Sequence, residues 1–280
     1  MHRITYCCYP GAKTKAVTLS YDDGTVYDRR MVEILNRYGV KCTFHINTSR
    51  LDTPGFLSSS ELPQLYRGHE AALHTHTHPT TAMIPRERLI YEVMQNRQEL
   101  EEIMGDIITG MSYSNGSYSK EVIEIMSSLG VRYARTTCSN GQFALPENFM
   151  EWHPTLHHSR GLQSWSPNLQ HSHTVLRETA ERFVQYPSME KMPILYVWGH
   201  SHEFEGNQTW DVIEDFCAYI SEQKDIWFAT NGEIYEYLTA MRKLMFSADC
   251  STVYNPTATA VCILADGKPI TVEGGEKLHF

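Results

Sequence analysis

The sequence predicts an α/β fold in which parallel strands alternate with helices in a closed or nearly closed barrel. Strand-like and helix-like segments alternate along most of the chain, which is the order of βα units. Residues 193–198 form a continuous apolar run, typical of a parallel strand that is covered on both faces. Acidic and imidazole side chains follow several strands, and barrel chemistry lies at the carboxyl ends of strands.

The predicted elements follow one another in the order that a barrel requires. Strands are predicted at residues 16–21, 41–47, 68–73, 107–111, 131–137, 193–198 and 226–229. Helices are predicted at residues 31–38, 58–67, 86–104, 120–129, 175–186, 210–223 and 233–244. Residues 138–170 are irregular, and Trp and His residues there are typical of a ligand-facing loop, with simple surface packing as the alternative.

The pattern changes after about residue 245. Three short strands separated by glycine turns, at residues 252–254, 260–264 and 270–272, predict a β-meander. We therefore divide the chain into a barrel, residues 1–245, and a small β appendage, residues 246–280, packed on the barrel.

Composition narrows the function classes. The chain has 280 residues, enough for one large barrel, and a formal charge of −9 without a basic block, which speaks against a nucleic-acid partner. No apolar run approaches the roughly 20 residues that span a bilayer, and the amino-terminal segment lacks a signal-peptide core. Seven scattered cysteines without a CxxC pair indicate reduced thiols. We therefore predict a soluble cytoplasmic protein, with a homo-oligomer left open.

Three histidines in five residues, His74, His76 and His78, indicate a metal site. Neighbouring imidazoles compete for hydrogen-bond partners, and a divalent cation resolves that competition because histidine is its commonest protein ligand. All three would share one face of a strand, whereas only the outer two would share one face of a helical turn. Spacing therefore leaves the ligand set open, and a surface histidine-rich loop is the alternative.

Acidic and polar residues also follow the first two strands. Asp22 and Asp23 end a buried strand before Gly24, where two like charges are unfavourable unless a cation or a function offsets them. The alternative is an ordinary Asp-Gly turn. On the next strand, alternation places His45 and Asn47 on one face, so they look into the barrel mouth or form a hydrogen-bonded core.

The Asp-Asp-Gly after a buried strand, followed by His74-Thr75-His76-Thr77-His78-Pro79, resembles the polysaccharide deacetylase family, carbohydrate esterase family 4, also called the NodB homology domain. The lead-in Gly68-His69-Glu70 is similar as well. The resemblance covers roughly residues 15–235. It implies a distorted (β/α) barrel of about seven strand–helix units, and hydrolysis of N-acetyl or O-acetyl groups on sugars with one divalent metal.

Carried onto this chain, the resemblance implies that Asp23, His74 and His78 are the metal ligands. Two nitrogens and one oxygen suit zinc, and cobalt, nickel and manganese also fit. Asp22 would be the general base, and His200 at the end of the 193–198 strand would be the general acid, with His202 as its rival. A second site built from His200, His202 and Glu203 is the remaining alternative.

This chain departs from the third motif of the family, which usually reads Arg-x-Pro-Tyr/Trp-Gly. Ser112 stands where the family has the arginine that steadies the base, and Ser114 replaces the proline. Arg135, at the end of the next strand, is therefore predicted to supply that charge; a surface arginine or structural ion pair is the alternative. Candidate substrate contacts are Tyr113, Asn115, Trp152 and Trp198.

The resemblance, together with these residues, implies a metal-dependent carbohydrate deacetylase, an N- or O-deacetylase with an Asp base and a His acid. An amidase acting on a small cyclic or linear amide is a second hypothesis. A third is a metal-containing sugar-binding protein whose catalysis weakened when the motif arginine was lost. The expected partner is an acetylated carbohydrate or a small amide.

Overall fold

A computed structural model describes residues 3–6, 8–163, 172–188 and 191–280. Its strands, in chain order, are β1 (Ile4–Thr5), β2 (Lys15–Asp22), β3 (Cys42–Ile46), β4 (Glu70–Leu73), β5 (Gly110–Ser112), β6 (Tyr133–Arg135), β7 (Leu156–His157), β8 (Ile194–Gly199), β9 (Ile226–Phe228), β10 (Met245–Phe246), β11 (Thr252–Tyr254), β12 (Val261–Ala265), β13 (Lys268–Val272) and β14 (Lys277–His279). Its α-helices are α1 (Asp28–Tyr38), α2 (Leu62–Leu65), α3 (Arg86–Met104), α4 (Lys120–Ser128), α5 (Val175–Gln185), α6 (Ser201–Asn207), α7 (Trp210–Ser221) and α8 (Asn231–Arg242). The segment 164–170 of the predicted irregular loop lies outside the described residues.

The central sheet is parallel, in the order β6-β5-β4-β3-β2-β8-β7, and confirms the predicted α/β fold. The short strand β9 pairs with the first half of β2, on the edge that β3 occupies further along. Trp152, four residues before β7, pairs with β6: its amide donates to the Ala134 carbonyl at 3.0 Å, and its carbonyl accepts from Thr136 at 3.1 Å. The segment that leads into β7 therefore also contacts the β6 edge of the sheet.

Apolar patterning explains why these segments form these elements. All eight residues of β2 are buried, as expected for a central strand covered on both faces. Helix α1 buries Met31, Ile34 and Leu35, and it ends at Gly39 in the left-handed conformation that favours glycine. The helices pack their apolar faces against the sides of the barrel. The site therefore lies at the carboxyl ends of the strands.

The predicted carboxy-terminal strands are present and antiparallel, but they are divided over two sheets instead of one meander. One sheet has the order β1-β12-β13 and recruits β1 from the other end of the chain; the second has the order β10-β11-β14. Val253, Val261 and Val272 from these sheets pack into the same apolar cluster as Tyr196 and Tyr237 of the barrel.

Two helical regions differ from the sequence prediction. Residues 58–67 form a 3₁₀ turn followed by the short helix α2, because a proline lies at the start of that helix. Helix α6, directly after β8, was missing from the sequence prediction. No helix in residues 3–6, 8–163, 172–188 and 191–280 combines the length and apolarity needed to cross a bilayer.

Candidate metal centre

Two buried asparagines fix the segment that follows β4. Asn96, on the buried face of α3, accepts a hydrogen bond from the His74 amide at 3.0 Å and donates to the Ile46 carbonyl at 3.0 Å. Asn47 donates to the Thr75 carbonyl at 2.9 Å and also to that of His74. Both asparagines are fully buried, so these bonds satisfy backbone groups that water does not reach. They position His74 at the carboxyl edge of the barrel.

Asp23, His74 and His78 meet at this edge. The Asp23 Oδ1 atom lies 3.8 Å from Nε2 of His74 and 3.9 Å from Nε2 of His78. One ligand atom from each residue lies within 4.8 Å of the other two. Asp23 Oδ1 is buried and has no hydrogen-bond partner, an arrangement that a cation would satisfy. The donor set therefore fits one divalent transition metal.

The backbone adopts an unusual conformation at this cluster. Asp23 has a φ of 83°, Thr75 a φ of 62° and His78 a φ of 61°. Left-handed backbone is uncommon outside glycine and is least favourable for a β-branched residue such as Thr75. The Thr75 hydroxyl lies 2.9 Å from that of Ser114, which helps to hold the turn.

His74 presents its Nε2 atom to the two aspartates. Its Nδ1 atom lies 3.0 Å from the Ser112 carbonyl and 2.7 Å from the Ser112 hydroxyl, and only a protonated Nδ1 can bond the carbonyl. Burial lowers the pKa of His74 to about 4 and outweighs the opposing charges of Asp22 and Asp23. The imidazole is therefore neutral, with a free Nε2 lone pair, which is the metal-binding form.

Asp22 is buried beside this cluster, where four side chains contact its carboxylate. Arg135 donates to Oδ2, the Ser112 hydroxyl lies 3.3 Å from Oδ1, and Nδ1 of His45 lies 3.3 Å from Oδ1. Nε2 of His74 lies 3.7 Å from Oδ2. Burial by itself would raise the pKa of Asp22, but Arg135, His74 and His45 hold that pKa well below its ordinary value. Asp22 is therefore a carboxylate.

Arg135 is fully buried at the end of β6. Besides the ion pair with Asp22, its guanidinium lies 4.4 Å from the centre of the Trp198 ring. A second nitrogen of the guanidinium donates to the Thr136 carbonyl at 3.3 Å. Arg135 and Ser112 are direct neighbours in the β5–β6 register, so the arginine comes from the strand next to the one that carries the motif.

His200 is the N-cap residue of helix α6 and lies close to the Glu203 carboxylate. The Glu203 Oε2 atom accepts from the His200 amide at 3.2 Å and lies 3.4 Å from Nδ1 of His200. Burial would lower the pKa of His200, but the Glu203 carboxylate, with Asp22 and Asp23, raises that pKa to about 9. Arg160 and His157 also contact Glu203, the latter with 3.1 Å between Nε2 and Oε2.

The structure brings some predicted residues together and separates others. His76 points away from the cluster, with Nδ1 3.0 Å from Glu99, and His202 is exposed. In the second potential ligand group, His157 stands where His202 was predicted, beside His200 and Glu203.

The predicted substrate contacts also divide. Asn115 is exposed and donates to Thr80 at 3.2 Å, near His78. Trp198 lies beside Arg135, and its indole nitrogen donates to Ser139 at 3.0 Å. Trp152 and Tyr113 are not brought to the site: Trp152 is 2% exposed among aromatic rings, and the buried Tyr113 hydroxyl donates to the Met150 carbonyl at 2.9 Å. Both side chains are used in packing.

Sequence reasoning missed Asn96, although a signal for it exists. Asn96 shares the buried face of α3 with Leu89, Val93 and Leu100, where an apolar residue would be expected. A polar residue at such a position must find buried partners, and here it holds the segment that carries His74.

The fold and cluster define a parallel α/β barrel with a two-histidine, one-carboxylate site at the carboxyl ends of its strands. Residues 10–134 match the family model named polysaccharide deacetylase. The resemblance predicted from the motifs is therefore confirmed over residues 10–134. No curated protein sequence matches the chain.

Solved structures share the fold. An inferred polysaccharide deacetylase from Mycobacterium smegmatis aligns with a TM-score of 0.64 at 16% identity, covering 86% of this chain and 96% of that one. The Xyl-CE4 domain of a multidomain xylanase, from the hindgut metagenome of Trinervitermes trinervoides, aligns with a TM-score of 0.52 at 17% identity (81% and 92% covered). BA3943 of Bacillus anthracis, described as a CE4 family pseudoenzyme, aligns with a TM-score of 0.51 at 16% identity (79% and 65% covered).

The aligned part is shorter than some relatives. It spans 44% of the polysaccharide deacetylase BC0361 from Bacillus cereus and 55% of the deacetylase PplD from Streptococcus pyogenes.

Proposed function

We propose that the protein is a metal-dependent hydrolase that removes acetyl groups from a carbohydrate. The observation that carries the proposal is the meeting of Asp23, His74 and His78 with the paired carboxylate of Asp22 at one edge of the barrel. The match of residues 10–134 to the polysaccharide deacetylase family model supports the substrate class.

Asp23, His74 and His78 would hold the cation, with zinc favoured by two nitrogens and one oxygen. A divalent cation in such a site polarises an acyl carbonyl and makes a nearby water more acidic. Asp22 accepts the proton of the attacking water because it is ionised and faces the cluster. Arg135 fixes the orientation of Asp22. His200 donates a proton to the departing amine or alkoxide, and Glu203 keeps that imidazole protonated.

The direct experiment measures acetate release from N-acetylated and O-acetylated sugar oligomers, with a panel of small cyclic and linear amides beside them. We expect acetate from at least one sugar series, its loss after chelation, and its return when zinc is restored. Hydrolysis of the small amides with inert sugars would replace this proposal with the amidase alternative.

One residue favours a second candidate, a sugar-binding protein without turnover. Ser112 replaces the family arginine, and one structural neighbour, BA3943, is described as a pseudoenzyme. Binding of acetylated oligomers without acetate release, with zinc, cobalt, nickel and manganese each supplied, would establish this alternative.

Metal content separates the three neighbouring histidines. His74→Ala and His78→Ala each remove a proposed ligand and are expected to reduce bound zinc from about one per chain to well below half. His76→Ala is the matched control, because His76 faces Glu99 and should leave the zinc content unchanged. Elemental analysis after dialysis measures the ratio. Equal zinc content in all three variants would rule out the assigned ligand set.

The pH profile tests the His200–Glu203 pair. His200 must be protonated to act as an acid, so kcat is expected to fall as pH rises through its pKa. That pKa is about 9 without a metal, and a cation near Asp22 and Asp23 lowers it towards the ordinary value of about 6.5. Glu203→Gln removes the main supporting charge and should shift this alkaline limb downward by about one pH unit or more. If the alkaline limb of the kcat profile does not move, Glu203 has no such role. Glu205→Gln, on the same helix, serves as the control.

A further inference from the structure

Two cysteines at opposite ends of the chain lie in direct contact at the base of the barrel. The Sγ atoms of Cys8 and Cys262 are 2.8 Å apart, and both residues are buried. Cys8 follows β1, whereas Cys262 lies within β12, so 253 residues separate them in sequence. We propose that Cys8 and Cys262 form a disulfide that joins the amino-terminal segment to the carboxy-terminal sheet.

The surrounding backbone keeps the two cysteines side by side. Strands β1 and β12 pair in antiparallel register, with Thr5 opposite Leu264. The Tyr237 hydroxyl donates to the Cys8 carbonyl at 2.7 Å and accepts from the Cys262 amide at 3.1 Å. One buried side chain of α8 thus bonds to both cysteine backbones. A disulfide requires such close, fixed approach of two residues, and it forms here without moving a distant element.

Chemistry distinguishes this pair from the other buried cysteines. Contact with Cys8 lowers the pKa of Cys262 to about 7, although burial opposes the shift. Burial instead raises the pKa of the Cys42 and Cys217 thiols well above the ordinary value. Since the thiolate is the attacking form in disulfide exchange, Cys262 is the reactive member of the pair.

The bond forms by exchange with a low-molecular-weight disulfide such as oxidised glutathione. The Cys262 thiolate attacks one glutathione sulfur and expels a glutathione thiolate. The Cys8 thiolate then attacks the Cys262 sulfur of the mixed disulfide and expels the second one. Two cysteine thiols are oxidised, one glutathione disulfide is reduced, and the two cysteine protons end on the released thiols. Because the folded pair is buried, exchange occurs before the amino-terminal segment packs or when it lifts.

This inference departs from the sequence-based prediction that all seven cysteines are reduced. The spacing of the cysteines in the sequence does not reveal this pair, because Cys8 and Cys262 come into contact only when β1 pairs with β12. The base of the barrel also lies far from Asp22, which is at the other end of β2. The disulfide is therefore expected to change stability and to leave deacetylation unchanged, so it stands or falls independently of the proposed function.

The test refolds the full chain from the reduced, denatured state with oxidised and reduced glutathione. Iodoacetamide labelling in denaturant then counts free thiols, and peptide mapping identifies linked peptides. We expect five labelled cysteines of the seven, a peptide joining Cys8 to Cys262, and a midpoint of thermal unfolding about 5–10 °C above that of the reduced protein. Cys217→Ala, which removes another buried thiol, should keep the linked peptide.

Cys262→Ala should lose both the linked peptide and the difference between the oxidised and reduced midpoints. Seven labelled cysteines after refolding in oxidised glutathione would overturn the proposal. A linked peptide that joins Cys262 to Cys7 in place of Cys8 would overturn it as well. Peptide mapping of the unaltered chain decides the question even if the alanine variant does not fold.

Discussion

Asp22→Asn is expected to lower kcat for acetylated sugar oligomers by about 10³-fold while bound zinc stays at its original ratio. The amide cannot accept a proton from water, so the loss falls on the chemical step. Asp23, His74 and His78 are unchanged, so the cation site persists. Acetate release and elemental analysis on the same preparation measure the two quantities separately.

The substitution also leaves the buried guanidinium of Arg135 without its counter-charge, which destabilises the fold. Thermal unfolding must therefore accompany the assay, and rates are compared at temperatures where both proteins are folded. Asp211→Asn, an exposed aspartate in the first turn of α7, is the control and should retain full activity. Turnover within tenfold of the unaltered protein would remove Asp22 from the base role.

Arg135→Ala is expected to reduce turnover by about 10²-fold with little loss of bound metal. Without the guanidinium, burial dominates at Asp22 and raises its pKa, so the carboxylate is present only at higher pH. The acidic limb of the kcat/KM profile should therefore move upward. A purely structural arginine would reduce the amount of folded protein and leave that limb in place.

Stability provides a second measurement for the same variant. Removing one partner of a buried ion pair costs about 3–5 kcal/mol, whereas Arg132→Ala breaks only an exposed pair with Glu236 and should cost about 1 kcal/mol or less. Arg135→Lys keeps the charge but loses the planar contact with Trp198, so it should recover part of the activity only. Full activity in Arg135→Ala would return this residue to a structural role.

The position of the proposed ligands could be predicted because parallel strands end at one edge. Asp22 ends β2, Asp23 follows it, and His74 follows β4, so strand direction alone brings them near each other. The same reasoning selected Arg135, since β6 is the neighbour of the strand that carries Ser112. None of this required knowledge of side-chain packing.

Other features depend on partners distant in sequence and were therefore not predictable. The division of the carboxy-terminal strands into two sheets follows from the pairing of β1 with β12. The burial of Tyr113 and Trp152 depends on which side of a short connection faces the core. The sequence shows that these residues are aromatic but does not show which way their side chains point. Asn96 holds His74 through contacts across two strands and a helix.

The left-handed backbone at Asp23, Thr75 and His78 links folding to affinity. Such conformations typically cost on the order of 1–3 kcal/mol each, and the folded chain carries that cost before any cation arrives. The ligands are therefore preorganised, and less ordering is left to oppose capture of the ion. Thr75→Gly, which would relax this turn, is expected to raise the midpoint of thermal unfolding and to weaken binding of the ion.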